Sequence, residues 1–227
     1  IFYVLLSVRA ELRKQNKFTS YSEPKLSDLL DLVALGTIAD LVKLDFNNRI
    51  LVHHGIKRIR SGNCNFGIEA LAKLSKKKLK DIKASDFSFS IAPKINAAGR
   101  LDDMSIGIKC LIAENKIEAA HYANKLAVFN EKRKNVENKM KEEALVFLKD
   151  FVLEDNYSIT IYNNSWHQGV IGILASRLKE KYYRPTIIFA KDDSGYLKGS
   201  GRSIPSFHLR DALDLVSKKK SDLILTF

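Results

Sequence analysis

The feature that most constrains the fold is a long central stretch that contains no helix-breaking residue. Residues 117–152 include neither proline nor glycine, and apolar side chains recur along them at helical intervals among lysine and glutamate. These apolar side chains are Phe129, Val136, Met140, Ala144, Phe147 and Phe151. A helix of about 36 residues, at roughly 1.5 Å each, extends about 50 Å. Because a small domain needs no helix of that length, the stretch predicts a connecting helix between two domains.

The patterns on the two sides of this helix differ. Before it, helical spacing occurs in LSDLLDLVALGTIADLV, with Ser27 or Asp28 as N-cap, and again in RILVHHGIKRIR, FGIEALAKL and SDFSFSIAPKI. After it, the predicted strands are YSITIY, PTIIFA, GYLKGSG and DLILTF. The predicted helices are GVIGILASRLKEKYY and HLRDALDLV, and His208 and Asp211 begin the second of them. A helix between two strands favours parallel pairing, with sites in the loops at one sheet edge. The sequence predicts a mostly helical part followed by an α/β part.

Charge and cysteine content narrow the class of protein. The 227 residues include 38 basic and 26 acidic side chains, a formal net charge of +12, so a polyanion is the first partner to consider, with a merely solvated basic surface as the alternative. Cys64 and Cys110 lack metal-ligand spacing, which predicts neither a disulfide framework nor structural zinc and favours the cytoplasm. No apolar run reaches the roughly 18 residues of a membrane span.

Asp40 and a histidine pair are the candidate metal ligands in the helical part. Asp40 follows the apolar run LVALGTIA, and a carboxylate buried at a helix end must be paired, protonated or bound to a cation. Its oxygen atoms suit Mg²⁺ or Mn²⁺, and a structural role is the alternative. His53 and His54 point about 100° apart on a helix. We interpret them as structural, one facing the core and the other solvent.

A run of small residues, NAAG, precedes Arg100 and two aspartates. Alanine beside glycine allows close approach of another group to the backbone. The pattern therefore predicts that a partner approaches Arg100, while Asp102 or Asp103 caps the next helix or orients the arginine.

Two loops of the α/β part carry candidate anion ligands. Trp166 and His167 lie between a strand and the entry of a helix, where backbone N–H groups favour an anion. His167 is predicted to meet a phosphate or a metal-bound water, with a buried histidine beside a core tryptophan as the alternative. In LKGSGRS two glycines flank Ser200, and Arg202 offers a bidentate fork to a phosphate. A glycine-rich hairpin turn is the alternative here.

Four blocks, LVALGTIADLVKLDFNNRILV, KINAAGRLDDMSIG, WHQGVIGILASRLKEKYYRPTIIFA and LKGSGRSIPSFHLRDAL, together resemble the RecJ family of the DHH phosphoesterase superfamily. The blocks occur in the family's order over nearly the whole chain. The resemblance implies an α/β protein: the C-terminal part of a DHH catalytic domain at 1–116, a connecting helix at 117–153 and a truncated DHH-associated domain at 154–227. It places the nuclease site in the cleft between the domains.

The resemblance also implies an activity and its partners. RecJ enzymes degrade single-stranded DNA from the 5′ end to mononucleotides, in DNA repair and recombination, with Mn²⁺ or Mg²⁺. Two ions are expected in the complete protein, to activate water and stabilise the leaving oxygen, while arginines neutralise charge in the transition state. Single-stranded DNA is the expected partner of a cytoplasmic monomer that also meets a single-strand-binding protein and a helicase.

Site residues carry over from the matching blocks. Asp40 matches the metal-binding aspartate of the GTxAD block, Arg100 matches the arginine that lines the cleft, and His167 belongs to the WHQG block that faces it. These three are the expected catalytic residues. The expected DNA or phosphate ligands are Arg100, Trp166, His167, Ser200, Gly201 and Arg202. The SGR block resembles a pocket for the terminal phosphate.

The chain also departs from the family pattern. It has no DHH triplet, none of the earlier aspartate motifs and no GGH block, it lacks an initial methionine and it stops within LILTF. We interpret it as a fragment that binds metal weakly and cleaves little or nothing. Two alternatives stay open: a phosphodiesterase of short oligonucleotides or cyclic dinucleotides, distinguished by substrate length, and a non-catalytic DNA-binding replication scaffold, favoured if no DHH motif lies upstream.

Overall fold

The computed structural model describes residues 1–19, 22–149, 156–192 and 194–227. They form two compact units, Ile1–Asn130 and Glu131–Phe227. The boundary falls inside the long helix that the sequence predicts. That helix, α8, spans Lys116–Phe147, 32 residues. Its predicted extension beyond 149 lies outside the described residues.

The described elements of the first unit are all helical, as the apolar spacing predicts. They are α1 (Phe2–Lys14), α2 (Leu30–Ala39), α3 (Phe46–Arg60), α4 (Phe66–Leu74), α5 (Ala84–Asp86), α6 (Ala92–Leu101), α7 (Ser105–Ile112) and the first part of α8. Three 3₁₀ segments, Lys17–Thr19, Leu26–Leu29 and Leu79–Asp81, and a π-helical segment, Phe87–Ile91, connect them. The core side chains contributed by α2, α3, α4 and the π-helical segment include Leu35, Ile38, Ile59, Ile68, Leu71, Phe87 and Ile91.

The N-terminus of α2 lacks the side-chain cap that the sequence predicts. Residues Leu26–Leu29 form a 3₁₀ turn, and neither Ser27 nor Asp28 caps α2 with its side chain. The N–H group of Leu30 bonds to the carbonyl of Ser27 instead. Since backbone groups already satisfy this helix start, Asp28 is available to pair with Arg58 of α3 at 2.9 Å.

A buried polar contact joins three helices of the first unit. Asp31 is 1% exposed, and one of its oxygens accepts the backbone N–H of Asn65 at 2.7 Å. The side chain of Asn65 accepts the N–H of Gly67 at 2.9 Å, which caps α4, and donates to the carbonyl of Leu111 in α7 at 2.7 Å. Buried polar groups need such partners because an unmatched donor or acceptor is costly. The contact therefore fixes α2, α4 and α7 relative to one another.

Asn65→Ala is expected to lower the free energy of unfolding of the first unit by about 2 kcal/mol, since it removes an N-cap and leaves the Leu111 carbonyl without this donor. Urea unfolding followed by circular dichroism measures this change. Asn63→Ala is the matched control, because Asn63 is exposed and makes one contact at 3.3 Å with Ser61. Equal midpoints for the two variants would contradict the role of Asn65.

The second unit contains a small mixed sheet. Its strands are β1 (Ile159–Tyr162), β2 (Thr186–Lys191) and β3 (Leu197–Arg202), in the order β1-β2-β3. β1 and β2 are parallel, with Ile159 opposite Thr186, and α9 (Ile171–Tyr182) connects them. This confirms the predicted α/β part. β3 is antiparallel to β2, and α9 packs against both.

The end of the chain differs from the prediction. After α10 (Leu209–Lys219), which His208 caps by accepting the N–H of Asp211, the run DLILTF is not a strand. Leu223, Leu225 and Phe227 are exposed there. The prediction of a fourth strand was wrong because alternating apolar residues become a strand only where a neighbour pairs with them.

Candidate functional site

Arg202, at the end of β3, lies against the first turns of α9. Its Nε donates to the hydroxyl of Ser176 at 3.2 Å, and its Nη1 donates to the hydroxyl of Ser200 at 3.3 Å and to the carbonyl of Gly201 at 2.7 Å. We call Ser176, Ser200 and Arg202 the arginine–serine cradle. Arg202 is nevertheless exposed, so its guanidinium is oriented by these bonds and is accessible to an anion.

Gly172 makes room for the cradle. A Cβ atom at this position would lie 2.9 Å from Oγ of Ser200 and 3.1 Å from Nη2 of Arg202. The first turn of α9 has no acidic side chain, and Val170 provides no side-chain cap. Helix N-termini attract anions through their N–H groups. The arginine–serine cradle thus combines a positive helix end with an oriented guanidinium, which suits a phosphate.

Ser176 is a member of the cradle that sequence reasoning missed. It lies four residues after Gly172 on α9 and donates to the Gly172 carbonyl at 3.2 Å. Residues four apart share a helix face. That spacing, on a helix already predicted from its apolar pattern, was the available signal.

In the loop before α9, the neighbouring residues Trp166 and His167 have different environments. Trp166 is 3% exposed, its Nε1 donates to Glu143 of α8 at 2.7 Å, and its ring meets that of Phe147 edge-on with centroids 6.3 Å apart. His167 is exposed, and its Nδ1 accepts the N–H of Gly169 at 3.0 Å. In neutral imidazole the other nitrogen, Nε2, then carries the hydrogen. His167 can therefore donate to an anion, whereas Trp166 is buried against Glu143 and Phe147 of α8, and its contact with DNA stays a prediction.

Asp40 lies at the end of α2 and is exposed. Asp40 is the C-cap residue that follows Ala39, the last residue of α2, whereas the buried aspartate of this helix is Asp31. Asp40 offers one oxygen ligand of the kind that Mg²⁺ and Mn²⁺ prefer. However, the described part of the chain contains no group of three or more His, Cys, Asp or Glu that could hold an ion. The described residues therefore do not form a complete metal site.

Arg100 lies exposed in the last turn of α6. The small residues before it have an internal explanation: Ala97 and Ala98 are fully buried, and a Cβ on Gly99 would lie 3.1 Å from Sδ of Met104. They allow close packing within the first unit, so they are not by themselves a sign of an approaching partner. Asp103, rather than Asp102, accepts the N–H of Ser105 at 2.8 Å, but the N-cap of α7 is Met104, which makes no side-chain cap bond.

The pKa of Asp103 lies below its ordinary value because the hydroxyl and the backbone N–H of Ser105 both donate to its carboxylate. The two cysteines show the opposite shift. Burial, together with the negative charge of Asp31, raises the pKa of Cys64 to about 12, and burial raises that of Cys110 to about 11. Since the thiolate is the reactive form, neither cysteine has the character of a nucleophile.

His53 and His54 are both exposed, with ring centroids 5.4 Å apart. The prediction that one faces the core was wrong, because the buried positions of α3 are Val52, Gly55 and Ile59.

The second unit corresponds to a known class of domain. Residues 154–222 match the family model of the DHHA1 domain. Over 229 residues the chain is 47% identical to the single-stranded-DNA-specific exonuclease RecJ of Haemophilus influenzae, and over 231 residues it is 46% identical to that of Escherichia coli. Both alignments cover 100% of this chain and 40% of the relative. The chain is therefore homologous to a segment of RecJ that contains the DHHA1 domain, and it spans about 40% of the length of these curated relatives.

Solved structures agree with this assignment. The crystal structure of Thermus thermophilus RecJ in complex with Mg²⁺ matches with a TM-score of 0.74 and 30% identity, covering 89% of this chain and 30% of that one. The structure of the same enzyme in complex with Mn²⁺ matches with a TM-score of 0.72 and 33% identity, covering 85% and 28%. These findings confirm the resemblance that the four sequence blocks indicated.

Proposed function

We propose that this chain is part of a metal-dependent exonuclease that hydrolyses single-stranded DNA from its 5′ end and releases mononucleotides in DNA repair and recombination. The observation that carries the proposal is the arginine–serine cradle at the start of α9. All of this chain aligns with a segment that makes up 40% of RecJ. The cradle fits a terminal phosphate, and the net charge of +12 suits a polyanionic substrate.

In this proposal each site residue has a separate role. Arg202 and Ser200 bind the terminal phosphate, and Gly201 keeps the end of β3 close to α10, since a Cβ there would lie 2.5 Å from Leu209. His167 donates through Nε2 to a phosphate oxygen. Arg100 contacts the DNA backbone and neutralises developing negative charge.

Asp40 supplies one ligand to the ions that the RecJ structures contain, Mg²⁺ or Mn²⁺. We propose that the remaining ligands come from residues outside this chain. The partners implied by the resemblance, a single-strand-binding protein and a helicase, and the monomeric state and cytoplasmic location stay expectations. In the parts of the chain that the structure describes, no helix has the length and apolar character required to cross a bilayer.

The test is digestion of 5′-labelled single-stranded and duplex DNA by the full-length gene product, with Mn²⁺ and with EDTA. Metal-dependent loss of the single strand alone, from its 5′ end, supports the proposal. Binding without cleavage would indicate the replication scaffold instead. Cleavage restricted to substrates of a few nucleotides, or to cyclic dinucleotides, would indicate the other phosphodiesterase.

The 227-residue chain by itself is expected to bind Mn²⁺ weakly and to cleave little or no single-stranded DNA, because the described residues supply a single expected ligand, Asp40, and no cluster. Isothermal titration with Mn²⁺ and a fluorescent-oligonucleotide assay measure both properties. Metal-dependent cleavage that an Asp40→Ala variant of the same chain loses would contradict this expectation. Such a variant also separates real activity from a contaminating nuclease.

A further inference from the structure

The buried indole of Trp166 connects the loop that carries His167 to the long helix. Glu143 and Phe147 lie one turn apart on α8, so they present a carboxylate and an aromatic ring to the same side chain. A buried tryptophan needs an acceptor for its N–H group. Glu143 provides this acceptor at 2.7 Å, and a charged acceptor makes the stronger kind of hydrogen bond.

The other side of His167 is held by the entry of α9. The ring accepts the N–H of Gly169 at 3.0 Å, and the backbone carbonyl of His167 accepts the N–H of Val170 at 2.9 Å. Within the loop, Asn163 accepts both the N–H and the hydroxyl of Ser165 at 2.9 Å. The loop is thus a tight turn that is attached at Trp166 on one side of His167 and at α9 on the other.

A second contact ties α9 itself to α8. Glu137, which is 9% exposed, pairs with Arg133 at 2.6 Å and with Arg177 of α9 at 3.3 Å. The long helix therefore holds α9 through Glu137 and the preceding loop through Glu143. The Glu143–Trp166 contact therefore holds the loop separately from the Glu137–Arg177 contact that holds α9.

We propose that Glu143 is a positioning residue that orients His167 through Trp166. The Glu143–Trp166 hydrogen bond sets the loop so that Nδ1 of His167 meets the Gly169 N–H and Nε2 keeps its hydrogen for an anion. This inference rests on the proposed function for its consequence in catalysis, whereas the orientation of His167 is measurable without any activity. Glu143 and Trp166 do not contact DNA in this proposal, and the residues that do are those named under the proposed function.

The first measurement is the tautomeric state of His167 in the 227-residue chain, by long-range ¹H–¹⁵N spectra of its five histidines. Wild type is expected to show the Nε2–H form of neutral His167. Glu143→Ala and Trp166→Phe are expected to shift this signal toward a mixture of tautomers, while Glu143→Gln, which keeps an oxygen acceptor, retains it. Glu142→Gln is the matched control, since Glu142 is an exposed neighbour with the same charge.

The second measurement is single-strand cleavage by the full-length gene product. Glu143→Ala and Trp166→Phe are each expected to lower kcat about tenfold with a smaller change in KM, the size of effect typical when a supporting residue is removed from a catalytic group. The double variant is expected to be no slower than either single variant, because both remove one hydrogen bond. Glu143→Gln is expected to restore most of the rate.

The outcomes separate the two proposals. A gene product without nuclease activity whose His167 signal still depends on Glu143 would overturn the proposed function and retain the positioning contact. An unchanged His167 signal in a folded Glu143→Ala variant would overturn the positioning role, as would additive losses in the double variant. If Glu143→Ala does not fold, Trp166→Phe decides by the same spectra, because it keeps an aromatic ring at the buried position.

Discussion

The Asp40→Ala variant of the full-length gene product is expected to cleave single-stranded DNA at least about 100-fold more slowly than wild type, with nearly unchanged affinity for the strand. A ligand of a hard cation acts mainly on the chemical step, because the ion polarises water and phosphate. The fold should tolerate the change, since Asp40 is exposed and its backbone N–H, which bonds to Gly36 at 3.1 Å, remains.

Single-turnover cleavage and fluorescence anisotropy in EDTA measure the two quantities separately. Asp81→Ala is the control, because Asp81 is an exposed carboxylate of the same unit and lies in a short 3₁₀ segment. Unchanged turnover in Asp40→Ala would remove Asp40 from the metal site. A parallel loss of strand binding would assign it to structure instead.

Arg202→Ala is expected to weaken binding of 5′-phosphorylated single strands about 10- to 100-fold, and binding of 5′-hydroxyl strands much less. A hydrogen bond to a charged group contributes about 1.5–3 kcal/mol, and each 1.4 kcal/mol corresponds to about a factor of ten. The guanidinium is oriented by Ser176 and Ser200, so its contribution depends on geometry as well as charge. Arg202→Lys should therefore recover only part of the discrimination.

The measurement is competition binding between oligonucleotides that differ only in the 5′ group, in the presence of EDTA. Arg210→Ala removes the same charge from an exposed position of α10 and controls for general electrostatics. Equal weakening of phosphorylated and hydroxyl ends would exclude the cradle as the phosphate site. An equal effect of Arg210→Ala would reduce Arg202 to a contributor to net charge.

Local pattern was enough to predict the long helix and the parallel strand pair of this protein. The long helix follows from about 36 residues without proline or glycine, and the parallel pair β1 and β2 follows from two apolar runs that flank a helix. Arg202 and His167 were predicted as candidate site residues because glycines and polar residues mark the ends of those elements in the sequence. Periodicity and turn chemistry are properties of neighbouring residues, so they can be read along the chain.

The partners of these residues required the tertiary structure. Glu143 and Trp166 are separated by 23 positions and Asp31 and Asn65 by 34, and nothing in the local pattern of either residue indicates the other. The same limit explains the exposed Asp40, the internal packing of Ala97 and Ala98, and the terminal run that is not a strand. Whether a side chain is buried, and what it bonds to, depends on which elements pack together. The sequence by itself determined the long helix, the parallel strand pair and the residue types of the candidate site, while packing between distant segments decided which side chains are buried and which face solvent.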